Sequence, residues 1–119
     1  MATQISSSSS ARSKILAHLR TLRASLAKAR TALMHFKEDR VDRDALEPAA
    51  RRVDDLMNMY ASDARDSAQG SAWVIEIQSG VDRVTNPKAA DALTEARVDI
   101  AALLEVLAAE GKDALRARS

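Results

Sequence analysis

The chain has 119 residues and a formal net charge of +1, with 46% hydrophobic residues but only one Trp, one Tyr and one Phe. This length suits one domain, and the scarcity of aromatic residues, with three Gly and two Pro, argues against a multi-stranded sheet. The absence of Cys excludes disulfides, thiolate metal sites and cysteine nucleophiles.

The first predicted helix covers residues 11–38. The preceding residues 1–10 are polar and Ser-rich, and we expect them to be a flexible segment. Within 11–38 the apolar residues recur at alternating steps of four and three, a spacing typical of a coiled-coil seam. These residues are Ile15, Leu19, Leu22, Leu26, Ala29, Leu33 and Phe36.

A second helix is predicted over residues 46–69, after a charged connection at 37–44. Its start has two interpretations: Asp44 and Glu47 form a capping box, or Pro48 occupies the first helical position. Gly70 is predicted to end the helix. The apolar positions of this helix are Ala49, Val53, Leu56 and Tyr60.

The segment 71–86 allows three interpretations. Its stretch 73–77 has the composition of a strand, but no second strand is evident for it to pair with. Trp73, Ile77, Val81 and Val84 share one helical face, which favours a short helix over 72–85. The third interpretation is that the second helix runs straight through Gly70.

The last predicted helix covers residues 87–110. Asn86 followed by Pro87 is typical of an N-cap with proline at the first helical position. Gly111 is predicted to end or kink the helix, leaving a basic tail at 112–119. The apolar positions are Ala89, Leu93, Ala96, Ile100, Leu103 and Leu107.

These elements predict an all-α fold, an antiparallel three- to four-helix bundle with coiled-coil-like heptad seams, in a single domain over 11–111. The apolar seams allow two modes of packing. They can close one bundle around its own core, or they can pack against further copies of the chain.

Charge is unevenly distributed along the sequence. Residues 11–37 contain seven Lys or Arg and no acid, whereas all 17 acidic residues follow Lys37. The basic helix therefore either faces acidic helices of its own fold or binds an external polyanion. The candidate partner-binding or polyanion-binding residues are Arg12, Lys14, Arg20, Arg23, Lys28 and Arg30.

Catalytic and metal-binding patterns are missing from the sequence. His18 and His35 lie 17 positions apart on one helix, so they cannot jointly hold one ion. The acidic residues of 38–44 lack the Gly and closing Glu of an EF-hand, and we expect a solvated connection there. No nucleophile elbow and no glycine-rich phosphate loop is present. We therefore expect no enzyme, cofactor, metal or small-molecule substrate.

The leading functional hypothesis is a non-enzymatic interaction or assembly module that packs against itself, as a homo-oligomer, or against another helical protein. Trp73 is the candidate interface anchor. The alternative is a nucleic-acid-binding or regulatory accessory protein that uses the basic first helix. The richness of the chain in Ala, Arg and Asp resembles the composition of bacterial and phage proteins of GC-rich origin, which suggests a phage- or plasmid-borne protein.

A third hypothesis comes from residues 1–10. A Ser-rich N-terminus followed by helical hairpins resembles type III secretion substrates and filament subunits, which implies a small exported protein. No apolar run is long enough to span a membrane, and the N-terminus lacks the layout of a secretory signal. The default expectation is therefore a cytoplasmic protein without a membrane partner.

Overall fold

A computed structural model describes residues 2–34, 39–62 and 66–118, and the side chains of 11–34, 39–62 and 66–112. Within these ranges the chain forms helices and no strand, so the all-helical prediction is confirmed. The elements are α1 (Ala2–Ala32), α2 (Arg40–Ala61), α3 (Ser67–Asp82), a 3-10 turn (Pro87–Ala89) and α4 (Ala90–Arg118).

Helix α1 begins well before the predicted start near residue 11. Its backbone is helical from Ala2, because the Ser-rich stretch contains no Gly or Pro to interrupt a helix and each Ser costs only a few tenths of a kcal/mol. The flexibility expected of residues 1–10 stays a prediction. The helix ends at Ala32, earlier than the predicted end at residue 38, and the structure does not describe residues 35–38.

Helix α2 begins at Arg40, not at residue 46, so both interpretations of its start are wrong. Pro48 lies inside the helix at an exposed position, where it removes one backbone hydrogen bond and its ring crowds the carbonyl group four residues earlier. Asp44 does not cap the helix, because it lies one turn after Arg40 and pairs with that side chain at 3.9 Å.

Helix α3 decides between the three interpretations of segment 71–86, which is helical up to Asp82 and separate from α2. Asp66 caps this helix by accepting a hydrogen bond from the backbone N–H of Gln69 at 3.1 Å. Gly70 therefore sits in the first turn of α3 and does not end α2.

The start predicted for the last helix is confirmed, but its end is different. Asn86 accepts a hydrogen bond from the backbone N–H of Lys88 at 3.0 Å, and Pro87 opens the turn that leads into α4. The helix continues through Gly111 to Arg118, because a single glycine lowers helix propensity by only about 1 kcal/mol.

Among the described residues, the apolar side chains at the four-and-three positions are buried in one core inside a single chain; Phe36 lies outside these residues. Trp73 is the exception, because it is only partly buried and the neighbouring Val74 takes the core position on α3. The core residues on the two longest helices are Ile15, Leu19, Leu22, Leu26 and Ala29 on α1, with Leu33 directly after it, and Leu93, Ala96, Ile100, Leu103 and Leu107 on α4.

Each helix packs against two others. Helix α1 contacts α2 and α4, α3 contacts the same two helices, and α1 and α3 lie diagonally opposite. Arg12 on α1 reaches Tyr60 at the end of α2, and Arg23, farther along α1, lies 3.8 Å from Asp54, which comes earlier on α2, so these two helices run in opposite directions. The outer face of α1 is consequently far from α3.

Two glycines inside helices lie against neighbouring helices in different ways. A Cβ atom at Gly80 would lie 2.9 Å from the backbone oxygen of Ala45 and 3.2 Å from the Cβ of Ala49. A Cβ atom at Gly111 would meet only the hydroxyl oxygen of Ser67, at 3.3 Å, and a hydroxyl can rotate away. The backbones of α2 and α3 are therefore close together because residue 80 has no side chain.

This difference predicts opposite effects for the same substitution. We expect Gly80→Ala to lower the free energy of unfolding by about 1–2 kcal/mol, because overpacking against a backbone atom outweighs the gain in helix propensity. Gly111→Ala should raise it by about 0.5–1 kcal/mol. Urea denaturation followed by circular dichroism measures both, and a stabilising Gly80→Ala would contradict the close approach of α2 and α3.

Candidate interaction surface on the first helix

The described structure places six cations and no acid on α1. The apolar residues of this helix face α2 and α4, so the charged side chains are confined to the two flanks and the outer face. The sequence analysis assigned all six to a partner surface, but the structure divides them into three groups by what each side chain contacts.

Arg12 is held within its own fold. Its Nε donates a hydrogen bond to the backbone oxygen of Tyr60, and a terminal guanidinium nitrogen donates to that of Ala61, both at 2.7 Å. These oxygens belong to the last turn of α2, where backbone acceptors lack partners inside the helix and the helix dipole favours a cation. Arg12 therefore caps the C-terminal end of α2, and its guanidinium group is engaged within the fold.

Arg23 and Lys28 form loose ion pairs with the neighbouring helices. Arg23 lies 3.8 Å from Asp54 on α2, and Lys28 lies 4.0 Å from Glu95 on α4. All four side chains are more than half exposed. Exposed pairs of this kind contribute about 0–1 kcal/mol, so either cation can exchange its acid for another anion at little cost.

Lys14, Arg20 and Arg30 are exposed and have no hydrogen bond or ion pair within the described part of the chain. Arg30 also lines a cleft of about 410 Å³ between the end of α1 and the start of α2. Arg43, Asp44 and Glu47 line the same cleft, so its charges are mixed. All three cations are therefore exposed to solvent, with Arg30 at the edge of α1 that faces α2.

Helix α1 also contacts α4 through a polar pair that the sequence analysis did not find. Nδ1 of His18 lies 3.1 Å from a carboxylate oxygen of Asp99, which is only 7% exposed. Because His18 is about one-third exposed, the pair lies at the edge of the core. It contributes to the packing of α1 on α4 and is not a free binding group.

The expectation of a solvated acidic connection is wrong for Asp39, which is 4% exposed. Its carboxylate accepts a hydrogen bond from Nδ2 of Asn86 at 2.7 Å and lies 3.4 Å from Nζ of Lys88. We call this group, Asp39 with Asn86 and Lys88, the Asp39 clamp. It joins the start of α2 to the turn before α4, so the burial follows from a contact between distant segments.

Trp73, the proposed interface anchor, lies partly buried on α3 beneath the guanidinium group of Arg52, whose central carbon is 5.2 Å from the ring centroid. Arg52 also donates hydrogen bonds to Glu76 and, at 3.2 Å, to Asp55. The bond to Glu76 raises the pKa of Arg52. One face of Trp73 is thus covered by its own chain.

Neither a metal centre nor a membrane segment is found in the part of the structure described. No three His, Asp or Glu side chains within these ranges are grouped closely enough to hold a metal ion. Among the same residues, no helix has the length and apolar content needed to cross a membrane.

Comparison with known proteins gives no relative: no protein-family model matches the chain, and no curated protein or solved structure is significantly similar to it.

The Asp39 clamp yields a stability prediction. We expect Asp39→Ala to lower the free energy of unfolding by about 1–3 kcal/mol, because the Asn86 amide and the Lys88 ammonium lose a buried acceptor. The matched control is Asp44→Ala, which removes an exposed one-turn ion pair and should change stability by less than about 0.5 kcal/mol. Equal midpoints for the two variants in urea denaturation would show that the clamp contributes nothing.

Proposed function

We propose that this chain is a non-enzymatic interaction module, an antiparallel four-helix bundle with coiled-coil-like seams that binds an acidic partner through the outer face of α1. The observation that carries the proposal is the state of Lys14, Arg20 and Arg30. They are exposed, lack partners among the described residues and lie on a helix without a single acid.

Burial of the heptad positions supports the outer face over the seams as the binding surface. The seam residues of α1 and α4 are at most 2% exposed within one chain. A second copy could reach them only by opening the core, which would expose apolar side chains at about 25 cal/mol per Å². The surface available to a partner is therefore the charged one.

Charge complementarity supports the choice of partner. Six cations on one helix with no intervening acid create a local positive potential, which attracts acidic partners and repels basic ones. Asp54 and Glu95 reduce this potential at the flanks, because they lie within 4.0 Å of Arg23 and Lys28. The outermost cations, chiefly Arg20, therefore contribute most to the attraction of an acidic partner.

Retention on immobilised heparin tests whether α1 is the binding surface, since heparin is a polyanion without bases or side chains. We expect Arg20→Glu/Arg30→Glu to elute at a lower NaCl concentration than the wild type, because two binding cations become repulsive. The matched control is Arg83→Glu/Lys112→Glu, which has the same net charge but changes exposed cations outside α1.

The control pair should elute later than the α1 pair, although both variants carry the same total charge. Circular dichroism of all three proteins checks that helix content is preserved. If the two double variants eluted together, retention would depend only on net charge, and the assignment of the surface to α1 would be wrong.

A further inference from the structure

The uncharged residues on the outer face of α1 are all small. The exposed positions between residues 13 and 31 that carry no charge are Ser13, Ala17, Thr21, Ala24, Ala27 and Thr31. At the C-terminal end of this face, Ala27 and Thr31 also line the cleft that contains Arg30 and the exposed Met34. Along the rest of the face the cations project beyond their small neighbours.

This composition disfavours a protein partner on this face. Protein interfaces depend on a few large buried anchors, chiefly Trp, Tyr and Arg in tightly packed apolar surroundings. The exposed large hydrophobic residues that the structure describes are Met34, Val41, Ile75 and Val98; Met34 lies at the cleft just after α1, and none belongs to the helix itself. Binding to a phosphate backbone needs no such anchor, because it depends on cations and hydrogen-bond donors.

The same face favours a duplex over a single strand. Proteins that bind single strands stack bases on aromatic side chains, and the outer face of α1 has none. Trp73 cannot supply one, because it lies on α3, diagonally across the fold. The major groove of B-form DNA admits an α-helix, whereas the major groove of duplex RNA is too narrow.

We propose that the outer face of α1 binds the phosphate backbone of duplex DNA without base-sequence preference, an inference that rests on the proposed function and names its partner. From Lys14 to Arg30 the helix extends about 24 Å at 1.5 Å per residue, which spans about seven base pairs. Lys14, Arg20 and Arg30 contact phosphates directly. Arg23 and Lys28 join them by exchanging their loosely held acids for phosphates.

The number of cations fixes the expected salt dependence. Each phosphate contact contributes about −0.9 to the slope of log Kobs against log [NaCl]. Three contacts give a slope of about −2.7 and five give about −4.5. Between 50 and 200 mM NaCl, affinity for DNA should therefore fall by about 40-fold with three contacts and by about 500-fold with five.

Fluorescence anisotropy with a labelled 20-base-pair DNA duplex tests the proposal on the full chain. The test variant is Lys14→Gln/Arg20→Gln/Arg30→Gln, and the control is Arg51→Gln/Arg83→Gln/Lys112→Gln, which removes as many exposed cations outside α1. We expect the test variant to reduce the steepness of the slope by about 2.7 and the control to preserve it. Two duplexes of unrelated sequence should bind with equal affinity.

Parallel titrations separate failure of this inference from failure of the proposed function. If poly-L-glutamate or a single strand bound more tightly than the DNA duplex, and the test variant lost that binding, α1 would be the surface but duplex DNA the wrong partner. If the test and control variants had equal slopes on DNA, the inference would be overturned. If neither DNA, heparin nor poly-L-glutamate bound at 50 mM NaCl, the proposed function would fail as well.

Discussion

The fold depends on burial of the apolar stripe of α1 between α2 and α4. This stripe runs from Ile15 to Leu33 and is almost completely inaccessible to solvent. Because it faces inward, the cations interspersed with it can lie only on the flanks or outside. The flanks meet acids and backbone acceptors of neighbouring helices, as Arg12, Arg23 and Lys28 show. One constraint, the inward orientation of an amphipathic helix, therefore decides which cations are available to a partner.

In the proposed function, helix α1 has two roles. Its apolar residues and Arg12 contact the rest of the fold, while Lys14, Arg20 and Arg30 are exposed and available for the binding that we propose. The basic residues of α1 also face acidic residues of α2 and α4. These complementary charges at the flanks favour the observed pairing of helices but contribute little stability. Loose ion pairs at 3.8–4.0 Å suit this dual use, since a phosphate can displace the acid.

The helices and most core positions could be predicted from the sequence, because burial of an amphipathic helix follows directly from its periodicity. The helix boundaries were harder to predict. Pro48 and Gly70 are typical end signals, yet a proline on an exposed face and a glycine in a first turn are compatible with a helix. Val74, and not the predicted Trp73, occupies the core position on α3. Which of the two faces the core depends on how α3 is rotated about its own axis, and the apolar pattern of α3 did not determine that rotation.

The site was only partly predictable for a similar reason. The sequence identified the basic helix, but which cations were free depended on contacts with residues tens of positions away. Asp39 was assigned to solvent because its partner Asn86 comes 47 residues later.

The most direct test of a core closed within one chain is absolute molar mass in solution by light scattering at 50 and 500 mM NaCl. A core closed within one chain predicts 12.9 kDa at both concentrations; a stable multiple of that mass that persists in 500 mM NaCl would contradict it.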